Sequence, residues 1–233
     1  MIYLQNYIFP VPGSLYVFCC YYIHNYYSHV MFFGFFIMFL VSTIVYFFGN
    51  SFKFNLKRSD SRMIELFLQV LVVNFLIIMA APGFWLIQYQ GRMSRQSELT
   101  MKVVGHQWYW SYEYGGSGKL CFDSFMKSLD DLSSGEFRLF DVDNRCVLPV
   151  GVSVGFYCTS TDVIHSFAIP KCFIKMDAMN GLLTKVSFNF PCCGLFYGQC
   201  SEICGANHSF MPIVMELTSM ECWKGWSVGH LLS

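Results

Sequence analysis

The stretch VMFFGFFIMFLVSTIVYFF, residues 30–48, contains no charged side chain and a single glycine. At about 1.5 Å of rise per residue, a helix of this length crosses nearly all of the ~30 Å hydrocarbon layer of a bilayer. Backbone placed in hydrocarbon has to satisfy its own polar groups, so the run is read as a transmembrane helix. A second apolar run, about residues 66–88, is interrupted by Gln69 and Asn74 and closes near Pro82, Gly83 and Trp85. It returns the chain across the membrane. Between the two runs, Lys53, Lys57, Arg58 and Arg62 are opposed only by Asp60, which places the connection on the matrix or cytoplasmic side. A cleaved signal sequence would carry its basic residues ahead of a shorter apolar stretch, whereas here they follow it. Gln69 and Asn74 are expected to bond a neighbouring helix, and so imply a partner subunit.

The whole composition agrees with a membrane as part of the solvent. The chain of 233 residues is 55% hydrophobic and only 13% charged, about half the charge of an ordinary soluble domain. Residues 1–29 carry no charged side chain and include Pro10, Pro12 and several tyrosines; they are read as an interfacial arm. The net charge of +0 hides an asymmetry, with six Lys/Arg against three Asp/Glu up to Glu98 and nine against twelve from Leu99 onward. The second half is mildly acidic, and no nucleic-acid partner is expected. Eleven cysteines are an odd number scattered in apolar runs, which argues against a disulfide framework. Cys192 and Cys193 are read as small buried hydrophobes.

Beyond Arg92 the pattern changes to short strand-like stretches bounded by Gly, Pro, Asn and Asp. Examples lie around residues 102–114, 138–142, 152–159, 184–190 and 212–217. Such spacing predicts an all-β barrel or sandwich. The organisation expected is therefore an arm over 1–29, a helical hairpin over 30–91 and one β domain over 92–233.

The chemistry is concentrated in GQCSEICGANHSFMP, residues 198–212. Cys200 and Cys204 are followed by His208 and Met211, and a second histidine, His165, lies upstream in DVIHSF. Thiolates, imidazoles and a thioether form a soft donor set that favours copper. A C-x3-C pair alone would be read as a disulfide or buried thiols, and a structural zinc site would use two Cys and two His. Met211 has no role in either.

These residues resemble the copper-bearing subunit II of haem–copper oxidases. The resemblance extends through GHQWYWSYEY (105–114), FDSFM, VDNRCVLP, DVIHSFAIP and YGQCSEICGANHSFMPIVMEL. It implies a two-helix transmembrane hairpin followed by a cupredoxin-like Greek-key β-barrel. It also implies a binuclear CuA centre holding two copper ions. Cys200 and Cys204 would bridge the ions, His165 and His208 would cap one each, and Met211 and the carbonyl of Glu202 would complete the set. The Glu202 carboxylate would reach an Mg2+ shared with subunit I. Trp108 would receive the electron from cytochrome c, docked on acids matching Glu113, Asp123, Asp143 and Asp162. GGSGK (115–119) departs from relatives that carry several acids there, which puts the strength of docking in doubt.

The electron would leave toward haem a of subunit I, which with haem a3–CuB and further subunits completes the oxidase. Glu65 would stand at the mouth of a proton channel. The implied location is the mitochondrial inner membrane, with the N-terminus and the β domain in the intermembrane space. Two other readings are a quinol-oxidase-type subunit II, whose relatives lack the copper ligands, and a membrane-tethered structural zinc module. From alternation alone, His106, Trp108, Trp110, Tyr112 and Tyr114 are predicted to share one strand face.

Overall fold

The computed structural model describes residues 15–50, 62–93, 97–115 and 119–232. Two units emerge, a helical hairpin and a β domain.

The hairpin consists of α1 (Leu15–Asn50) and α2 (Arg62–Met93). Its membrane-length apolar spans are Tyr22–Phe47 and Glu65–Gln88. The arm expected over residues 1–29 is thus corrected, since residues 15–29 belong to α1. No Pro or Gly interrupts the backbone ladder between Leu15 and Val30, and tyrosine suits a helix end near a membrane interface. Residues 1–14 and most of the basic connection lie outside the described residues.

Among the described residues, rings and a tyrosine hydroxyl join the two helices. Phe33 meets Phe75 edge-on at 5.8 Å, and the Tyr26 hydroxyl donates to the Met79 carbonyl at 3.0 Å. That contact falls one turn before Pro82, where the α2 ladder loses an N–H donor. Asn74, expected to bond a neighbouring helix, directs its amide to Val70 of its own helix at 3.0 Å. This back-bonding satisfies the donor in an apolar medium.

The β domain contains β1 (Leu99–His106), β2 (Tyr109–Tyr114), β3 (Leu120–Ser124), β4 (Cys146–Pro149) and β5 (Ser153–Ser160). It continues with β6 (His165–Ile169), β7 (Ile174–Ala178), β8 (Thr184–Asn189), β9 (Gly194–Cys200) and β10 (Pro212–Thr218), and closes with α3 (Met220–Leu232). Two five-stranded sheets form, ordered β3-β2-β1-β5-β8 and β4-β10-β9-β6-β7. β1 with β5 and β4 with β10 are parallel; the other pairs are antiparallel. The chain leaves the first sheet after β5 and returns for β8, so ligands distant in sequence can share one end of the sandwich.

Side chains alternating inward from both sheets make the core, among them Met101, Trp110, Tyr112, Phe156, Phe167, Ile213 and Met215, all without accessible surface. Burial of each large apolar side chain contributes about 1.5–3 kcal/mol.

Three differences from the sequence reading have local causes. The strand expected across 102–114 is a hairpin, with His106 paired to Tyr109 across the Gln107–Trp108 turn. The alternation restarts there, so Trp110, Tyr112 and Tyr114 are buried while Trp108 belongs to the turn. Residues 138–142 form turns instead of a strand, and only Val142 bridges, to Met126. Asp141 takes the Phe137 N–H at 2.6 Å and faces Arg145 at 3.7 Å, local bonding that competes with a ladder. Finally, α3 had no counterpart in the sequence reading, because Gly225 and Gly229 break its helical pattern. It is held by Trp226, whose ring lies 5.5 Å from Tyr114 and 6.0 Å from Phe122.

Candidate metal centre

β9 ends at Cys200, β10 begins at Pro212, and the intervening loop carries Glu202, Cys204, His208 and Met211. β6 lies antiparallel to β9 with Phe167 opposite Cys200. Continuing that register sets His165, the first residue of β6, beyond the end of β9 and against the loop. The Ser201 N–H bond to the Ser166 carbonyl at 3.0 Å extends the pairing into the loop.

The donor atoms converge. The Cys200 and Cys204 sulfurs are 4.0 Å apart, far beyond the ~2.05 Å of a disulfide. Two metal–sulfur bonds of about 2.3 Å span that gap, so the thiolates can share an ion. His165 Nδ1 lies 3.9 Å from the Cys200 sulfur, and His208 Nδ1 lies 3.5 Å from that of Cys204. Met211 Sδ is 3.5 Å from the Cys204 sulfur, and the Glu202 carbonyl is 3.3 Å from that of Cys200. The ligand atoms of His165, Cys200 and Cys204 all lie within 4.8 Å of one another. His165, Cys200, Cys204 and Met211 are buried, and His208 is half-buried. All six residues singled out in the sequence thus meet, and their soft donor set fits copper.

Two glycines make room. A Cβ at Gly105 would stand 2.9 Å from the His165 ring, so the imidazole packs this closely against β1 only because none is there. Gly205 has φ +119°, and a Cβ there would stand 3.2 Å from both the Gln107 amide and the Trp108 ring, which close over the Cys204 carbonyl.

The thiols are electrostatically unequal. Burial pushes Cys200 up, but hydrogen bonds with the His165 ring and with the backbone at Ser166 and Glu202 bring it down to about 7. Cys204, buried and facing the Cys200 charge, is pushed up to about 12. Protons therefore leave the pair in sequence, and a bound metal would displace both. For His165, burial lowers the pKa, but hydrogen bonds to Cys200 and Asp162 outweigh it and hold the ring above its ordinary value.

Trp108 is half-buried in the β1–β2 turn, and its indole N–H donates to the Cys204 carbonyl at 3.3 Å. Trp110 donates to the Met211 carbonyl at 3.2 Å from within the core. Single-strand alternation could not reveal either contact, because each crosses between sheets.

The four acids expected to dock a partner are engaged within the chain. Glu113 faces Lys102 at 3.6 Å, Asp123 accepts the Ser111 hydroxyl at 2.6 Å, and Asp143 accepts the Phe125 N–H at 2.7 Å. Asp162 is turned to His165, Oδ1 to Nε2, at 2.8 Å. Asp123, Asp143 and Asp162 are nevertheless exposed. Glu65 is exposed in the first turn of α2, where an acid also complements the helix dipole.

The family profile for cytochrome c oxidase subunit II, periplasmic domain, matches residues 99–218. Cytochrome c oxidase subunit 2 of Ascaris suum is 50% identical over 193 residues, covering 83% of each chain. The chain belongs to the cytochrome c oxidase subunit II family. The counterpart in Caenorhabditis elegans is 47% identical over 195 residues, covering 84% of each chain. Among solved structures, the periplasmic domain of subunit II of cytochrome oxidase from Bradyrhizobium japonicum is similar with a TM-score of 0.54 and 41% identity. That match covers 59% of this chain and 96% of that one. A subunit II caught as a mixed disulfide intermediate with a thioredoxin-like protein has a TM-score of 0.52 and 39% identity, covering 59% and 93%. As a member of the subunit II family, the chain is an electron-transfer subunit of the oxidase complex, anchored by its apolar helices. The zinc-module and quinol-oxidase readings give way to it.

Proposed function

We propose that this subunit accepts electrons from cytochrome c at a binuclear copper centre, CuA, and passes them to haem a of subunit I. The observation that carries the proposal is the meeting of two thiols, two imidazoles and a thioether from β6 and the β9–β10 loop. When bound, the copper pair supplies a one-electron carrier.

The side chains provide the rest. Cys200, Cys204, His165, His208, Met211 and the Glu202 carbonyl would hold the ions, the two thiolates as their anionic donors. Held at the ends of paired strands, these groups are arranged in advance and have little need to move when charge arrives. Burial of Cys200, Cys204 and Met211 keeps water from the sulfurs. Glu202 divides its roles, with its carbonyl toward Cys200 and its carboxylate exposed and available for an Mg2+ shared with subunit I.

Trp108 sets an indole one hydrogen bond from Cys204, which suits it to receive the electron. Glu113, Asp123, Asp143 and Asp162 would orient the basic cytochrome c, an effect on encounter more than on affinity. Glu65 would take up protons from the matrix side into subunit I, where haem a3–CuB reduces O2 to water with proton pumping. The setting is the mitochondrial inner membrane, with the domain from residue 92 onward in the intermembrane space.

Metal analysis and electron paramagnetic resonance of the complex containing this chain test the proposal. Two copper ions per chain in this subunit, giving a mixed-valence signal, are expected. Zinc in their place, or one copper without that signal, overturns it.

A further inference from the structure

We infer that Gln107 and Asp162 are positioning residues that close a hydrogen-bonded ring around the metal site, tying the His165 strand and the Cys204 loop to the turn that carries Trp108. The inference rests on the copper-centre reading above. The ring begins at His165, whose Nε2 lies 2.8 Å from Asp162 Oδ1. Asp162 Oδ2 accepts the Gln107 backbone N–H at 2.7 Å, and the Gln107 side-chain amide donates to the Cys204 carbonyl at 2.8 Å. These contacts join segments 55 and 97 residues apart in sequence.

Each member has a physical task. An imidazole whose Nε2 is held by a carboxylate keeps its proton there and leaves Nδ1 free for a metal, in a fixed ring orientation. In His165 that free Nδ1 is the atom facing the Cys200 sulfur. Asp162 is itself braced by the Val163 N–H at 2.6 Å and the Ser160 hydroxyl at 3.2 Å, so it cannot swing away without losing several bonds. At the other end, the Cys204 carbonyl takes two donors, Gln107 Nε2 and Trp108 Nε1, which fills both of its lone pairs. That fixes the Cys204 backbone, and with it the direction of a sulfur that lies 4.0 Å from its partner. The carboxylate expected to meet cytochrome c is thereby committed first to the metal site.

Gln107→Met and Asp162→Asn, in the intact complex, separate this role from docking. Methionine keeps the size and neutrality of Gln107 but removes the donor; asparagine keeps one carbonyl acceptor where aspartate has two. Both are expected to lose copper to a chelator about tenfold faster or more, the scale typical of groups that orient ligands, and to alter the hyperfine pattern of the copper signal. The ionic-strength dependence of cytochrome c oxidation should stay unchanged in Gln107→Met. Wild-type copper lifetime and spectrum in both variants would overturn the inference. So would an Asp162→Asn variant altered only in its salt dependence, which would assign Asp162 to docking. Absence of copper from the wild-type subunit is a different result, and sinks the copper reading itself.

Discussion

The hairpin and the β domain are both rich in Phe, yet they place it oppositely. Phe39 in α1 is 72% exposed and Leu76 in α2 is 60% exposed, whereas Phe156 and Phe167 between the sheets have no accessible surface. A hairpin needs only hydrocarbon outside it, because each helix satisfies its own backbone. The β domain has to make its interior from its own side chains and satisfy its backbone between distant strands. That requirement is what brings the His165 imidazole within 3.9 Å of Cys200, 35 residues on, whereas the hairpin's long-range contacts join rings and a tyrosine to a backbone carbonyl. The lesson is that apolar content alone marks where a chain goes, while the pairing of remote segments determines what it can bind.

Five substitutions sharpen or break this contrast. The largest effect is expected for Cys204→Ser, which removes one bridging sulfur. The subunit should lose its copper complement and mixed-valence signal while the far-ultraviolet circular dichroism of the β domain persists, and retention of both coppers would break the link between loop and function. Next, Phe156→Ala should destabilise the β domain by about 3–5 kcal/mol through a core cavity. Phe39→Ala, the same change on a lipid-facing helix, should shift the unfolding of that domain by no more than about 0.5 kcal/mol. Equal losses in thermal or denaturant unfolding would erase the distinction between the two regions. Trp108→Phe removes the longer, 3.3 Å donor to the Cys204 carbonyl and leaves the 2.8 Å bond from Gln107 in place, so it should slow reduction by cytochrome c with a smaller change in the copper spectrum than Gln107→Met; stopped-flow reduction at the wild-type rate would remove Trp108 from the path.

The smallest effect concerns pH. The Lys127 hydrogen bond, helped by the Ser133 N–H, holds the Glu136 carboxyl below its ordinary range. A group lowered on folding stabilises above its unfolded pKa and loses that contribution as pH falls through the folded value. The wild-type domain should therefore lose thermal stability in mild acid more steeply than Glu136→Gln. Parallel curves in a titration of melting temperature would discount the Glu136 bonds.

Much of the site was legible because its donors are crowded into Cys200–Met211, where spacing alone carries the chemistry. The hairpin was legible because hydropathy needs no partner to be read. Harder to see were features made by contact across the sandwich. The break at Gln107–Trp108 hid inside an unbroken alternation, and α3 was concealed by Gly225 and Gly229. Asp162 read as a surface acid, although its carboxylate is turned to His165.

By itself, the sequence determined that two segments belong in hydrocarbon and that one loop carries soft metal donors, since both follow from side-chain chemistry at fixed local spacing. Tertiary structure decided how His165 reaches that loop, which carbonyls Gln107 and the two tryptophans hold, and which acids are already engaged. Those outcomes depend on strand register and on small clearances such as that over Gly105, and a register is settled only when remote segments pair.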